Sequence, residues 1–262
     1  MPYANLRGQN LYFEDTGGDD PALIFSHGLL MDHEMFAPQV DALRAGYRCI
    51  TWDERGHGLT AGDHLEPFSY YDSADDLAAL LAHLGIERAV LAGMSQGGYL
   101  SLRCALRHPQ IVRALILIDT QALPEDALKM PGYKLMLEAW SKHGLSPEIA
   151  GMLEHIILGE AWSGAAAWKA KWQQVKPHNL MQCFATLGGR DDISDSIGAI
   201  EVPALVIHGD KDFAIALDRG ERLAQSLPKA ELVVVEGGGH ASNLTHPDIV
   251  NPAILKFLRA LH

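Results

Sequence analysis

Gly93-Met94-Ser95-Gln96-Gly97-Gly98 lies between the apolar run Ala89-Val90-Leu91-Ala92 and a stretch, 96–107, with helical patterning. A strand that passes into a helix through a single serine strains that residue's backbone and pushes its Oγ outward. Bulky side chains two residues before and two after would collide in such a turn, and Gly93 and Gly97 occupy those positions. The helix that follows aims its first N–H groups at whatever is bonded to the serine. Glycine and serine are common, so the six residues carry little alone. Their strand-turn-helix setting is what makes Ser95 a nucleophile candidate.

Short apolar runs and amphipathic stretches alternate on both sides of this turn. Residues 3–15 read as two extended segments paired around Gly8, Ala22-Leu23-Ile24-Phe25 as a buried strand, 34–45 as a helix and Tyr47 to Trp52 as a strand. Leu77, Leu80, Leu81 and Leu84 share one helical face within 72–84, and Gly85 is a natural stop. Ala114 to Ile118 reads as the next strand. The rhythm then breaks: residues 121–198 carry helical stretches and four of the five tryptophans, Trp140, Trp162, Trp168 and Trp172. It resumes with a strand Val202 to Ile207, a helix near 215–226, a strand Glu231 to Val235 and a helix near 248–261. This alternation predicts an α/β fold, a mostly parallel sheet flanked by helices on both faces. Residues 1–120 and 199–262 form the expected core, and 121–198 a helical cap inserted into it.

Bulk properties narrow the partners. The chain has 262 residues, enough for one substantial core, and its charge is 21 basic minus 33 acidic groups, or −12. No run of lysine and arginine stands out, which argues against nucleic acid or an anionic membrane surface. Residues 1–10 lack a basic start followed by an apolar stretch, and no apolar run is long enough to span a bilayer. Cys49, Cys104 and Cys183 are scattered and odd in number, as free thiols of a reducing compartment are. The expectation is a cytoplasmic monomer or homodimer.

A serine hydroxyl needs a base to take its proton, and the base needs an orienting group. His240, in Glu236-Gly237-Gly238-Gly239-His240 directly after the last strand, is the candidate base. The orienting carboxylate should follow a strand between Ser95 and His240. Asp210 and Asp212 in His208-Gly209-Asp210-Lys211-Asp212 follow one such strand, and Asp119 follows another. Asp212 has more loop in which to turn back toward His240. Donors for a developing oxyanion are expected from the backbone N–H of Gln96 and from the loop His27-Gly28-Leu29-Leu30, with Leu29 ahead of Leu30.

These segments resemble the α/β-hydrolase superfamily, in particular its small capped bacterial esterases, lactonases and haloperoxidase-like members. The matching residues are Ser26-His27-Gly28-Leu29, Asp53-Glu54-Arg55-Gly56-His57-Gly58, Gly93 to Gly98, Gly209-Asp210-Lys211-Asp212 and Gly239-His240. The resemblance spans the core, whereas the cap matches only in kind. It implies Asp212 as the acid, third after the glycine, and a structural role for the 53–58 turn and its His57.

Serine at position 95, rather than aspartate or cysteine, points to an acyl-enzyme and so to ester, thioester or lactone cleavage. Carbon–carbon hydrolysis, perhydrolysis and a slow-turnover ligand receptor are the rival readings on this fold. His27, His57, His208 and His240 all fall near strand ends, yet no metal-type spacing accompanies them, so neither metal nor cofactor is expected. Leu30, Met136 and Trp140 are the candidates to contact a small-molecule ester. The cap tryptophans and Met130, Met136, Met152 and Met181 could line an apolar acyl or alcohol pocket, though most of them read as packing of the cap on the core. No cap arginine stands out as a clamp for a substrate carboxylate.

Overall fold

The computed structural model describes residues 2–60, 62, 65–159 and 162–261. β1 (Tyr3–Leu6) and β2 (Gln9–Asp15) form a hairpin closed by Arg7 and Gly8, both at positive φ (49° and 78°). Two left-handed residues match the twist of a two-residue hairpin. Next come β3 (Ala22–Ser26), α1 (Ala37–Leu43), β4 (Arg48–Trp52), α2 (Tyr70–His83), β5 (Ala89–Met94), α3 (Gln96–Arg107) and β6 (Val112–Ile118). The single helix expected over 34–45 is instead a 3-10 turn, His33–Phe36, leading into α1. Pro38 in the first turn of α1 is the reason: it has no N–H to continue regular bonding from upstream.

Between β6 and β7 (Ala204–Gly209) the chain leaves the sheet. It forms α4 (Met130–His143), α5 (Pro147–Leu153), a π-helical turn Glu154–Leu158, α6 (Ala165–Trp172) and α7 (Pro177–Gly188). α8 (Leu217–Ser226), β8 (Ala230–Val235), α9 (Ser242–Thr245) and α10 (Pro247–Arg259) complete the chain. Among the described residues no helix is long and apolar enough to cross a membrane.

The strands form one sheet in the order β1-β2-β4-β3-β5-β6-β7-β8, antiparallel at β1/β2 and β2/β4 and parallel elsewhere. Every residue of β3, β5 and β7 is buried, as in a parallel sheet covered on both faces. From β3 the chain steps one way to β4, then crosses back to β5 on the other side of β3. Such a reversal opens a crevice at the carboxyl ends of the strands, and the loops after β3 and β5 flank it.

The turn from β5 into α3 holds Ser95 at φ 54° and ψ −117°. Its N–H donates to the Ile118 carbonyl (2.9 Å), and its own carbonyl accepts from Thr120 Oγ1 (2.6 Å). A Cβ on Gly93 would overlap the Gly97 carbonyl, one on Gly97 the Ser26 carbonyl, and one on Gly98 would come within 2.6 Å of Thr120 Cγ2. Backbone-to-backbone packing therefore requires glycine at 93 and 97, and the Thr120 side chain requires it at 98. Gly93→Ala and Gly97→Ala should each cost about 1–3 kcal/mol, read in thermal melts as a loss of about 2–4 °C per kcal/mol. Gly132→Ala in α4, where a Cβ meets nothing within 4 Å, should leave the melting temperature equal or higher.

Candidate active site

Three loops, after β5, β7 and β8, bring Ser95, Asp212 and His240 into one hydrogen-bonded chain. His240 Nε2 lies 2.9 Å from Ser95 Oγ, and His240 Nδ1 lies 2.8 Å from Asp212 Oδ2. Asp212 Oδ1 accepts the N–H groups of Ala214 and Ile215 at 2.8 and 2.9 Å, which fixes the carboxylate plane. With a carboxylate as its partner, Nδ1 carries the ring proton, and Nε2 presents a lone pair to the serine hydroxyl. Burial pulls the His240 pKa down, but the charge and hydrogen bond of Asp212 push it up and prevail, so it sits above the usual 6.5.

The other two candidate acids do different work. Asp210 Oδ1 accepts from Gly237 N–H (2.7 Å), tying the loop after β7 to the loop after β8. Asp119, also at positive φ (48°), accepts from Gly209 N–H (2.8 Å), Ser242 N–H (2.9 Å) and Ser242 Oγ (2.6 Å). It thus pins the end of β7 and the segment just past His240 to the end of β6. Burial, then the nearby Asp212, pushes its carboxyl up to about 6. Asp119, His208 and Asp212 offer atoms within 4.8 Å of one another, a spacing a cation would accept. Their described contacts are internal: His208 Nε2 donates to the Ile215 carbonyl (2.9 Å), and both carboxylates accept the bonds given above.

The loop after β3 lies against the serine turn: a Cβ on Gly28 would come within 3.6 Å of Ser95 Cβ. Leu30 there takes φ 64°, unusual for a branched residue, and its carbonyl accepts from Trp172 Nε1 at 2.9 Å. Neither the Leu29 nor the Gln96 backbone N–H has a partner among the described residues. The Gln96 side chain is held from below, its Nε2 donating to Glu54 Oε2 (2.7 Å) and its Oε1 accepting from Tyr70 OH (3.3 Å). Burial raises the Glu54 pKa to about 7.

Ser95 and His240 open onto an apolar cavity. Leu30 and Met136 line it, with Leu29, Ile156, Phe184 and Ile215 among their neighbours. Trp140, expected to contact substrate, does not line it. One helical turn beyond Met136, it is only 3% exposed and packs into the hydrophobic core. Trp162, Trp168 and Trp172 likewise pack in or against the core. Glu125, which carries no motif, is the one carboxylate on the cavity wall among the described residues. Its Oε1 lies 2.8 Å from Arg190 Nη2, and the fully buried guanidinium stands 4.9 Å from the Tyr99 ring centroid. No sequence signal joins residues so far apart outside the core motifs.

His27 and His57 stack at 4.8 Å between ring centroids. His27 Nδ1 donates to the Gly28 carbonyl and its Nε2 accepts from Glu54 N–H (2.9 and 3.0 Å). His57 Nδ1 donates to the Arg55 carbonyl (2.9 Å), and burial, aided by the neighbouring His27, lowers its pKa to about 3. The 53–58 turn is knotted by Asp53, which accepts from His33 N–H (2.7 Å), His33 Nδ1 (2.9 Å) and Leu59 N–H (2.8 Å). Cys49, Cys104 and Cys183 are free and buried.

A family model described as the alpha/beta hydrolase fold matches residues 21–144 and 160–247. Among curated proteins, RutD of Rhizobium rhizogenes, whose name carries a provisional assignment as a carbamate hydrolase, is 29% identical over 265 residues, covering 95% of this chain and 98% of that protein. The enol-lactonase of Burkholderia xenovorans LB400 superposes with a TM-score of 0.90 at 25% identity, covering 98% of this chain and all of the other. A thermophilic esterase from Thermogutta terrifontis gives a TM-score of 0.88 at 27% identity, covering 100% of this chain and 98% of its own.

The geometry has a direct spectroscopic consequence. An NMR titration should place the His240 midpoint above 6.5, and Asp212→Asn should lower it by removing the charge that raises it. Asp210→Asn should leave it unchanged; a larger change at position 210 would overturn the pairing.

Proposed function

The chain belongs to the alpha/beta hydrolase fold family, and from that membership we propose a serine hydrolase that cleaves carboxylic esters of small to medium hydrophobic substrates. The observation that carries this reading is the unbroken Asp212–His240–Ser95 chain at the floor of an apolar cavity. His240 takes the Ser95 proton as Oγ attacks the carbonyl, and Asp212 stabilises the resulting imidazolium. The N–H groups of Leu29 and Gln96 receive the oxyanion. His240 then protonates the departing alcohol, and the same ring activates a water to release the acid from Ser95. Leu30 and Met136 contact the acyl group. The residues between β6 and β7 act as a cap over it, in a cytoplasmic enzyme of one or two chains that needs no cofactor.

A lactone is the second reading, supported by the likeness to the Burkholderia enol-lactonase. Glu125 on the wall argues for neutral substrates, because its carboxylate repels a second one.

Ser95→Ala should lower turnover of an activated short-chain ester by at least about 10³-fold with the fold retained. Activity requires neutral His240, so kcat/KM should rise with pH through a midpoint above 6.5; a flat profile from pH 5 to 8 would count against it. A panel of esters, lactones, amides and carbamates tests the substrate class. Turnover of carbamates alone would replace the ester, and labelling of Ser95 without product release would mark a receptor. Glu125→Gln should shift kcat/KM toward a carboxylate-bearing ester by about tenfold relative to its neutral analogue; an unchanged ratio would remove Glu125 from selectivity.

A further inference from the structure

The end of β6 grips both peptide groups that flank Ser95. The Ile118 carbonyl accepts the Ser95 N–H at 2.9 Å, and Thr120 Oγ1 donates to the Ser95 carbonyl at 2.6 Å. Ile118 therefore fixes the peptide before the nucleophile, and Thr120 reaches the peptide after it. That second peptide also carries the Gln96 N–H. In a planar trans peptide the C=O and the N–H point in opposite directions, so a donor seated on the carbonyl sets the line along which the N–H points.

Orientation is half of the effect. A hydrogen bond to a carbonyl draws electron density from the N–H of the same peptide and makes it a stronger donor. The Ser95 carbonyl accepts from Thr120 Oγ1 and from the Gly98 and Tyr99 N–H groups of α3 (3.0 and 3.1 Å). The two bonds from α3 belong to any helix start. The hydroxyl is an addition, and its bond is the shortest of the three. Thr120 is fully buried and does not line the apolar cavity, so its effect on a reaction passes through this peptide.

The other expected oxyanion donor is built alike. The Leu29 N–H shares its peptide with the Gly28 carbonyl, which accepts from His27 Nδ1 (2.9 Å) and from Met31 N–H (3.1 Å). A buried side-chain donor thus stands behind each N–H, an imidazole at one and a hydroxyl at the other.

We propose that Thr120 is a positioning residue for the oxyanion site, its hydroxyl orienting and polarising the Gln96 N–H through the Ser95 carbonyl. This role rests on the proposed ester hydrolysis, in which that N–H receives the oxyanion.

Thr120→Ser keeps the hydroxyl, Thr120→Ala removes it, and both lack the methyl, so the pair differs by the hydroxyl alone. The Ser95 carbonyl retains its α3 donors in both, so no buried acceptor is left bare. The kcat of Thr120→Ala should lie about tenfold below that of Thr120→Ser at equal KM, a smaller loss than removing an oxyanion donor outright. Phenylboronic acid, whose boron bonds Ser95 Oγ while His240 takes the proton, places a tetrahedral anion in the site. Its affinity should fall by the same factor. In amide NMR spectra the Gln96 proton should move upfield from Thr120→Ser to Thr120→Ala. The Gly98 and Tyr99 protons, no longer sharing their acceptor with a hydroxyl, should move downfield. Equal kcat, boronate affinity and Gln96 shift in the two variants would leave Thr120 a role in folding alone, and the proposal falls. Should Thr120→Ala not fold, Thr120→Cys, of similar size to serine and a weaker donor, replaces it in every arm. If the wild-type protein turns over no ester, the ester reading fails, while boronate affinity and the amide shift still decide the part played by Thr120.

Discussion

Ser95 holds a backbone conformation of φ 54° and ψ −117° that an L-residue adopts at a cost of order 1–3 kcal/mol. Nothing in the local sequence favours it. Packing does: α3 is drawn so close to β5 and to the end of β3 that only glycine fits at 93 and 97, and the Thr120 side chain leaves room only for glycine at 98. Hydrogen bonds to Ile118 and Thr120 at the end of β6 then hold the turn from the other side. The same closeness sets the serine oxygen at the carboxyl end of β5, 2.9 Å from His240 Nε2. Strain, glycine content and the position of the hydroxyl are one constraint expressed three ways.

Around that turn, buried carboxylates position the loops. Asp119 binds the end of β7 and the segment just past His240, Asp210 ties the loops after β7 and β8 together, and Asp212 accepts from the imidazole. Environment sets each group's proton affinity. His240 and His57 are both buried histidines, yet one is shifted up and the other down to about 3. The difference is the partner: a carboxylate beside His240, a neutral carbonyl and a second imidazole beside His57.

The core was legible because its signals are local. Alternating apolar runs located the strands, and glycine spacing located the turn. Loop length favoured Asp212 over Asp210, since two extra residues let the chain reverse toward His240. What stayed hidden depends on how distant segments meet. Met136 and Trp140 share a helix face by spacing, and only the packing of that helix on the core sends one to the cavity and the other beneath it. Glu125 and Arg190 pair because the helices between β6 and β7 return to where they left the sheet. Leu30, at positive φ, accepts a hydrogen bond from Trp172, 142 positions away, which no local pattern records.

That last bond has company. Ala241 N–H, next to His240, donates to the Ile157 carbonyl of the π-helical turn (2.9 Å), and Lys129 Nζ donates to the Phe213 and Ala214 carbonyls (2.6 and 3.0 Å) just past Asp212. The segment between β6 and β7 is therefore fastened to the loops that hold Leu30, Asp212 and His240. In evolutionary terms it is a poor interchangeable part. Recombining it with a relative's segment would replace the wall of the cavity and, in the same event, three fasteners of the loops beneath. Lineages that broaden what they accept by this route would have to re-adapt those loops, whereas point changes at wall positions such as Met136 or Phe184 leave the fasteners intact.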